Sequence, residues 1–318
     1  PHGLLQFLAD AVKLIFKEDI IPDAADKPLF KFAPYLMAMG VMTGFAVLPL
    51  SYRLIGADLN IGVLYVLAVT SISVVGILMS GWASNSKWAL FGGMRSAAQI
   101  VSYEIPTGLS LLPAVLLAGS MSTQSIIKAQ GGMPWDWFIF HSPMVFVLFF
   151  VYFVSALAEG SRTPFDLPEA ESELVSGYNT EYSGFRFAAY FLAEFANTWI
   201  AAAVGVIVFL GGWQIPGVSA DTIAASAGWT AVGYELLSLV MFASKTLCLV
   251  FLIIQLRWTL PRVRVDQMMT LCWKYLVPVV FACTMLILGY MLVIPWNNPT
   301  PGAFNLGWTI GLVVRVGM

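Results

Sequence analysis

Carboxylates are the residues best suited to chemistry in this 318-residue chain, and many of them lie in one short segment. The stretch EGSRTPFDLPEAESELVSGYNTEYSG, residues 159–184, holds six of the eighteen acidic residues. Clustered carboxylates can take up and release protons, because neighbouring charges and burial change their proton affinity. Arg162 and Arg186 bracket the cluster and could pair with part of it, as could basic residues of a partner.

Part of this segment also has a purely structural interpretation. In FDLPEAESEL, Asp166 can cap a short helix that has Pro168 in its first turn and Glu169 three residues after the cap. Glu173 is not explained in this way, since it would share a helix face with Glu169 and repel it by about 0.2–0.5 kcal/mol. We therefore expect a functional role for the segment, with a solvated loop as the alternative.

Other charged residues fall inside or at the ends of long apolar stretches: Glu104, Glu159, Glu194, Glu235 and Lys245. An ionised side chain near the centre of a membrane helix costs about 2.5–3.5 kcal/mol on insertion scales, so such residues are by default functional. Several carboxylates with a lysine predict a proton path. The alternative for Glu159, Glu235 and Lys245 is that the side chain only reaches out to the membrane interface.

Glu104 has a special local setting in the sequence SYEIPTG. Pro106 follows two residues later, and its missing N–H frees a backbone carbonyl in the preceding helical turn. We expect the freed carbonyl to admit water or a side chain into the helix. A polar break beside a buried acid would favour proton exchange.

The composition places the chain among membrane proteins. Hydrophobic residues make up 59% and charged residues 11% of the chain, and the mean hydropathy is +0.81. The net charge of −2 argues against nucleic acid as a partner. Three separated cysteines and two histidines have no metal-ligand spacing, so we expect neither a metal site nor a redox centre in this chain.

The apolar pattern predicts an all-α fold, a polytopic bundle forming a single membrane domain over residues 1–318. Residues 3–21 begin with a charged but amphipathic stretch that predicts a helix lying in the membrane interface, with a core helix of a soluble domain as the alternative. A last apolar segment, 303–318, is either an eighth span or an interfacial tail. Seven stretches are long enough to span a bilayer: 34–52, 61–83, 97–121, 142–160, 187–210, 236–258 and 275–296.

Basic residues are distributed unequally between the two sides that these spans define. The positive-inside rule places the richer side in the cytoplasm or matrix, together with the amphipathic helix and the acidic segment 159–186. One side receives Lys13, Lys17, Lys27, Lys31, Lys87, Arg95, Arg162, Arg186, Arg257, Arg262, Arg264 and Lys274, and the other receives Arg53, Lys128 and Arg315.

Long motifs in this chain closely resemble one family of membrane proteins. They are AEGSRTPFDLPEAESELVSGYNTEYSGFRFAAYFLAEF (158–195), GLLQFLADAVKLIFKEDIIP (3–22), ADLNIGVLY (57–65), GWASNSKWALFGGMRSAAQIVSYE (81–104), GGW (211–213) and LPRVRVDQMMTLCWK (260–274). The chain is similar in these motifs to the NuoH family of membrane subunits of respiratory complex I, the proton-pumping NADH:quinone oxidoreductase.

The resemblance implies a function and a set of site residues. It implies a heel subunit, inactive alone, whose helices enclose part of a quinone chamber and which couples quinone reduction to proton translocation. Quinone is then a substrate, and FMN and iron–sulfur clusters belong to partner subunits. Implied partners are the peripheral-arm iron–sulfur and quinone-site subunits, adjacent small membrane subunits and membrane lipid. The implied proton path is Asp58, Glu104, Glu159 and Glu194, and the implied coupling loop beside the chamber is Arg162, Asp166, Glu169, Glu171 and Glu173.

The chain departs from the family in two places. We expect a first spanning helix and an arginine-rich stretch ahead of Pro1, which the sequence does not contain. The stretch IPGVSADTIAASAGWTAVGYELLS, residues 215–238, looks like an insertion on the side opposite the acidic segment. Glu235 lies near this insertion, so its assignment to the proton path is weaker than that of the other acids.

Three other functions fit parts of the pattern. A related subunit of a membrane-bound hydrogenase would share the acidic loop without needing quinone. An ion-coupled secondary transporter would also use buried acids, although duplicated halves with broken helices, which favour that class, are not evident. A purely structural anchor would leave the intramembrane glutamates unexplained.

Overall fold

The fold is an all-α bundle, as predicted. A computed structural model of the protein describes residues 3, 5–166, 175–226 and 228–293, and the regular structure in these ranges is helical, without strands. The helices are α1 (Gln6–Phe16), α2 (Lys27–Gly44), α3 (Gly62–Ala83), α4 (Lys87–Ala118), α5 (Thr123–Ala129), α6 (Phe138–His141), α7 (Pro143–Glu159), α8 (Gly184–Phe209), α9 (Ala220–Ala225), α10 (Trp229–Thr259), α11 (Val265–Thr270) and α12 (Val277–Val293).

Each of the seven predicted spans coincides with a helix. Five single helices (α2, α3, α4, α8 and α10) and the combined segment from α11 to α12 are long and apolar enough to cross a membrane. The apolar helix α7 is shorter, with 17 residues, which is at the lower limit of roughly 17–25 residues for a membrane span. The predicted eighth span, 303–318, lies outside the described residues.

Glycines allow the central helices to approach one another closely. A Cβ atom built on Gly76 of α3 would lie 3.0 Å from the backbone nitrogen of Met37 in α2. A Cβ on Gly81, further along α3, would lie 2.8 Å from the carbonyl oxygen of Ala89 in α4. Small residues are typical of helix contacts in membranes, because association there depends on close packing. Helix α3 is therefore clamped between α2 and α4.

Four helix connections lie together at one end of the bundle, which we call the basic end. The Asp26 backbone N–H donates to Ala83 O at 2.9 Å, the Ile20 N–H donates to Ser183 Oγ at 2.9 Å, and Arg262 pairs with Asp166 at 3.3 Å. These contacts join the connections that follow α1, α3, α7 and α10. The acidic segment therefore shares an end with the amphipathic helix, as the sequence predicts.

The remaining connections meet at the opposite end. The Thr123 hydroxyl donates to Val47 O at 3.1 Å, and the Gln214 side chain donates to Ile127 O at 2.6 Å. The Arg53 guanidinium donates to Ser226 O at 3.2 Å. The predicted insertion after residue 215 is therefore folded against the loops that follow α2 and α5.

Helix α1 presents its apolar residues outwards. Leu5, Leu8, Val12, Ile15 and Phe16 are all exposed. Just after this helix, Asp19 forms an ion pair with Arg186 at 2.9 Å, which ties the segment to the start of α8. The exposed apolar face fits a helix lying on a lipid surface, and its location in the membrane interface stays a prediction.

Substituting Gly92 by alanine should destabilise the protein. A Cβ there would lie 2.7 Å from Gly177 Cα, in a turn within the acidic segment, so the backbone must move. Overpacking of this kind costs about 1–3 kcal/mol. The matched control is Gly233→Ala in α10, where a Cβ meets nothing within 4 Å. Thermal unfolding of the assembled, detergent-purified protein should show a lower midpoint for the first variant alone, and equal midpoints would contradict this packing.

Candidate functional site

A small, partly open pocket, which we call the cavity, lies between α2, α3, α4, α7 and α8 and has both apolar and polar lining residues. Its polar lining includes Ser73, Glu159, Tyr178, Glu194 and Asn197. The centre of a water molecule has about 20 Å³ of space there, and about 10–15 Å³ suffices for one water that has two to four polar partners. Two of the sequence-predicted carboxylates therefore line one space that can hold water.

Glu194 is a buried acid, unlike Asp58, Glu104 and Glu159, which have more exposed surface. It belongs to α8 and is only 8% exposed. The Tyr178 hydroxyl donates to Glu194 Oε1 at 3.4 Å, and the Tyr178 ring packs edge-on against Tyr190 of α8, with the ring centroids 5.5 Å apart. Asn197 lies three residues after Glu194 and shares its helix face. The side chain of Glu194 therefore points into the bundle and does not reach the lipid interface.

Glu159 occupies the last position of α7 and lines the same cavity. A carboxylate is unfavourable at a helix C-terminus, because the unpaired carbonyls there already carry partial negative charge. Helix stability therefore does not explain Glu159. Its place on the cavity wall argues against the alternative that it only reaches out to the interface.

Glu104 joins the two cavity acids from α4. Its carboxylate lies close enough to Glu159 for their charges to interact. Ile100, one turn earlier on α4, lines the cavity. Three of the predicted acids, from α4, α7 and α8, are therefore gathered in one region.

The prediction about Pro106 is confirmed. Helix α4 continues through this proline, so the carbonyl of Ser102 lacks its ordinary helical donor. The thiol of Cys272 supplies the hydrogen bond instead, with Sγ 3.1 Å from Ser102 O. A side chain enters the helix at the break, two residues before Glu104.

Tyrosine residues near the cavity were not identified from the sequence. Tyr178, Tyr182 and Tyr190 pack against one another, and the Tyr182 ring stacks on Phe30 of α2 with the centroids 4.0 Å apart. Tyr182 lies in the connection before α8, where burial raises its pKa to about 12. Its phenol therefore stays neutral at physiological pH. The polar run GYNTEY within an apolar chain was the available signal for these residues.

Arg162 lies beside this site, just after α7. It is buried, its guanidinium lies 4.4 Å from the ring centroid of Phe195, and its Nε is 3.4 Å from Thr198 Oγ1. Within the described part of the chain, its Nη2 atom has no hydrogen-bond partner. Asp166 pairs with Arg262 at the surface of the same end. Glu169, Glu171 and Glu173 fall outside the described residues, as does most of the helix that Asp166 was expected to cap.

The structure places Asp58 apart from the three acids described above, and its role in the proton path stays a prediction. Asp58 is exposed in the loop before α3, at the end of the bundle opposite the acidic segment. It accepts a hydrogen bond from Ser122 Oγ at 3.1 Å. Asp58 lies in the loop between α2 and α3 at the surface of the bundle, so its carboxylate is exposed.

Glu235 and Lys245 do not join the cavity acids either. Glu235 lies at the opposite end, where it pairs with Arg53 at 3.7 Å and accepts a hydrogen bond from Ser51. Lys245 of α10 donates to the carbonyls of Leu210, Gly212 and Gln214, at 2.9, 3.0 and 3.4 Å. The predicted lysine of the proton path instead holds the end of α8. Its ammonium also lies 4.2 Å from the Trp137 ring centroid.

Metal binding has no obvious place here. Among the described residues, no group of three or more histidine, cysteine, aspartate or glutamate side chains lies close enough together to hold a metal ion.

Fold and site together define an integral membrane protein with carboxylates on the wall of a water-sized cavity. The NADH dehydrogenase family matches residues 1–288 of the chain. The chain is 51% identical to the H subunit of NADH-quinone oxidoreductase from Anaeromyxobacter dehalogenans (strain 2CP-C), over 96% of this chain and 76% of the relative. It is 45% identical to NADH-quinone oxidoreductase subunit 8 of Rhodothermus marinus (90% and 84%), and 44% identical to the H subunit of the Dehalococcoides mccartyi (strain CBDB1) enzyme (99% and 82%).

The chain therefore belongs to the NADH dehydrogenase family and is a membrane subunit of an oxidoreductase complex. None of these three relatives is named as a hydrogenase subunit or a transporter. The leading interpretation from the sequence is accordingly kept over its alternatives.

Replacing Lys245 by methionine should destabilise the end of α8. Three carbonyls would lose their shared donor, and a buried polar group left without a partner costs about 1–3 kcal/mol. Lys274→Met is the control, since Lys274 is exposed. We expect a lower thermal midpoint of the assembled complex for Lys245→Met than for Lys274→Met. A Lys245→Met protein that unfolds like the control would show that these hydrogen bonds do not stabilise α8.

Proposed function

We propose that this subunit forms part of the quinone chamber of a proton-pumping NADH:quinone oxidoreductase and couples quinone reduction to proton movement through Glu104, Glu159 and Glu194. The observation that carries the proposal is the cavity that Glu159 and Glu194 both line. Buried acids are costly in a membrane helix bundle, and intramembrane acids around a polar space are typical of proton relays.

A proton can pass along these groups in short steps. A carboxyl group of Glu194 or Glu159 exchanges a proton with water in the cavity, and the Tyr178 hydroxyl, which is 3.4 Å from Glu194, can hydrogen-bond to the charged form. Glu104 interacts with Glu159 through its charge, so a proton on one acid changes the affinity of the other. The three acids would therefore titrate as a set and pass protons between α8, α7 and α4.

The cavity suits water and not a quinone ring, because ligand pockets commonly measure about 300–1,000 Å³. The quinone head would instead bind at the basic end, in a chamber that partner subunits complete. Arg162 suits the wall of such a chamber: it is a buried cation with one N–H group unused among the described residues, and such a group can donate to an oxygen acceptor. FMN and iron–sulfur clusters in the partner subunits would supply the electrons.

The acidic segment would connect the chamber to the cavity. Glu159 and Arg162 stand on either side of Gly160 and Ser161, both of which line the cavity. Asp166 follows and is tied to Arg262. Glu169, Glu171 and Glu173 come next in the sequence and would face the chamber and the peripheral-arm subunits. A charge change on quinone reduction would thus be felt within a few residues of the cavity.

The orientation of the chain follows from its basic residues. The basic end carries Lys87, Arg186, Arg257, Arg262 and Arg264, and the opposite end carries Arg53 and Lys128. The positive-inside rule then puts the basic end, with the acidic segment and α1, in the cytoplasm or mitochondrial matrix. The peripheral-arm subunits would dock on this face.

Replacing Glu194 or Glu159 by glutamine should abolish most proton translocation by the assembled complex. The amide keeps the size of the side chain but cannot release a proton at neutral pH, and a lost proton-transfer group commonly costs about 10²–10⁴-fold in rate. The control is Glu18→Gln, an exposed acid at the same end of the bundle. Proton uptake and quinone reduction should be measured together in membranes, with assembly checked by complex abundance.

Normal pumping by both Glu159→Gln and Glu194→Gln would remove the cavity from the proton path. Loss of pumping in the Glu18→Gln control as well would indicate a general effect on assembly or on the charge of this end.

Glu173→Gln tests the acidic segment separately. If the segment couples quinone chemistry to the cavity, quinone reduction and proton pumping should fall together while the complex assembles normally. If both persist, the segment is a solvated or assembly surface. The coupling role would then rest on Glu104, Glu159 and Glu194 alone.

A further inference from the structure

Two hydrogen bonds hold helix α4 against a single segment of the chain, just before Glu104. The Cys272 thiol donates to Ser102 O at 3.1 Å, and the Tyr103 hydroxyl donates to Met268 O at 2.9 Å. Cys272 and Tyr103 are both fully buried. We call these four residues the α4 clasp.

The segment on the other side of the clasp has an irregular helix. Leu271–Leu276, which joins α11 to α12, is π-helical. A π turn inserts an extra residue into a helix, and such turns are frequent at functional sites. Cys272 lies inside the π turn, and Met268 lies one turn before it. The insertion changes which side chains of this helix face α4, so the π turn helps to set the direction of the thiol.

Glu104 directly follows the clasp. The Cys272 thiol bonds to the backbone carbonyl of Ser102, and the side chain of Tyr103, the residue next to Glu104, bonds to Met268 O. Because Pro106 removes one bond of the helical ladder, the backbone here has fewer internal constraints than a regular helix. The clasp replaces the missing constraint with a bond to α11 and the π turn.

The clasp also contacts the connection that follows Glu159. Tyr103 and Phe165 have ring centroids 5.6 Å apart, and the buried residues around them include Leu157 and Ala158 of α7. The backbone that carries Glu104 and the backbone around Glu159 therefore share one packed cluster. A shift of the π turn would be transmitted to both.

We propose that Cys272 is a positioning residue for Glu104: by closing the break at Pro106, its thiol fixes α4 two residues before Glu104 and so sets the direction of the carboxylate towards Glu159. This inference rests on the proposed role of Glu104 in proton transfer. A thiol is a weak hydrogen-bond donor, so this contact adds little to the stability of the fold. Its role is to fix the direction of α4 at the break.

The first test is spectroscopic and uses the assembled complex. The infrared difference between wild type and Cys272→Ala isolates the S–H stretching band of Cys272, and the difference between wild type and Cys248→Ala gives the band of an exposed thiol on α10. A donating thiol absorbs at lower frequency, so the Cys272 band should lie below that of Cys248. A Cys272 band at or above that of Cys248 would overturn the contact.

The second test is functional. Cys272→Ala should lower quinone-coupled proton translocation by about two- to tenfold, the range expected for one lost hydrogen bond. Cys272→Ser, whose hydroxyl still donates to Ser102 O, should keep most of the activity, and Cys248→Ala should match wild type. Equal loss in the serine and alanine variants would mean that Cys272 acts only by packing, and this would overturn the inference. If Cys272→Ala fails to assemble, Cys272→Ser, which keeps the donor and nearly the volume, replaces it in the infrared test, because the difference between wild type and Cys272→Ser also isolates the S–H band; a Cys272 band at or above that of Cys248 still overturns the inference.

Glu104→Gln separates a failure of this inference from a failure of the proposed function. If Glu104→Gln pumps normally, the proton-path role of Glu104 is wrong and Cys272 has no acid to position. If Glu104→Gln is inactive while Cys272→Ala pumps like wild type, the proton path stands and the positioning role fails alone.

Discussion

Backbone carbonyls that a helix leaves unpaired inside a membrane must find donors within the protein, since lipid offers none. In the described part of this chain, side chains supply such donors at two helix ends and at one helix break. Lys245 donates to three carbonyls after α8, Gln99 donates to Ala158 O at the end of α7 at 2.7 Å, and Cys272 donates to Ser102 O at the break in α4. Polar residues in this apolar sequence therefore have two distinct roles. Some donate to backbone carbonyls that a helix leaves unpaired, and others form the candidate functional site.

The carboxylates that line the cavity form the candidate functional site. Glu159 lies at a helix end that disfavours its charge, and Glu194 lies in a helix interior where a neutral residue would serve packing equally well. They line a space with room for water, in contrast to Lys245, whose ammonium is surrounded by carbonyls and an aromatic ring. A group that closes a helix end has its bonds already filled, whereas a group beside a water-sized cavity can exchange a proton.

Both ends of the bundle are joined by side-chain contacts. At the opposite end, Gln124 accepts a hydrogen bond from Trp213 at 2.8 Å and donates to Tyr52 O at 2.6 Å, and Arg53 pairs with Glu235 at 3.7 Å. At the basic end, Asp19 pairs with Arg186 and Asp166 pairs with Arg262. Charged contacts between loops weaken and reform more readily in contact with water than buried amide bonds do. The basic end, which is expected to face the redox subunits, therefore has two adjustable contacts between its loops.

The sequence alone determined the membrane class, the seven apolar helices and the cluster of acids near the basic end, because hydrophobic length and period are local properties of the chain. It also predicted an open carbonyl at Pro106, since a missing N–H is a covalent fact. Only the tertiary structure decided which charges meet. Glu159 and Glu194 are separated by a long stretch of sequence yet line one cavity, whereas Asp58 is exposed and Lys245 holds the end of α8. These outcomes depend on how helices pack side by side and on which face each residue presents, and those are relations between distant segments that a single sequence does not state.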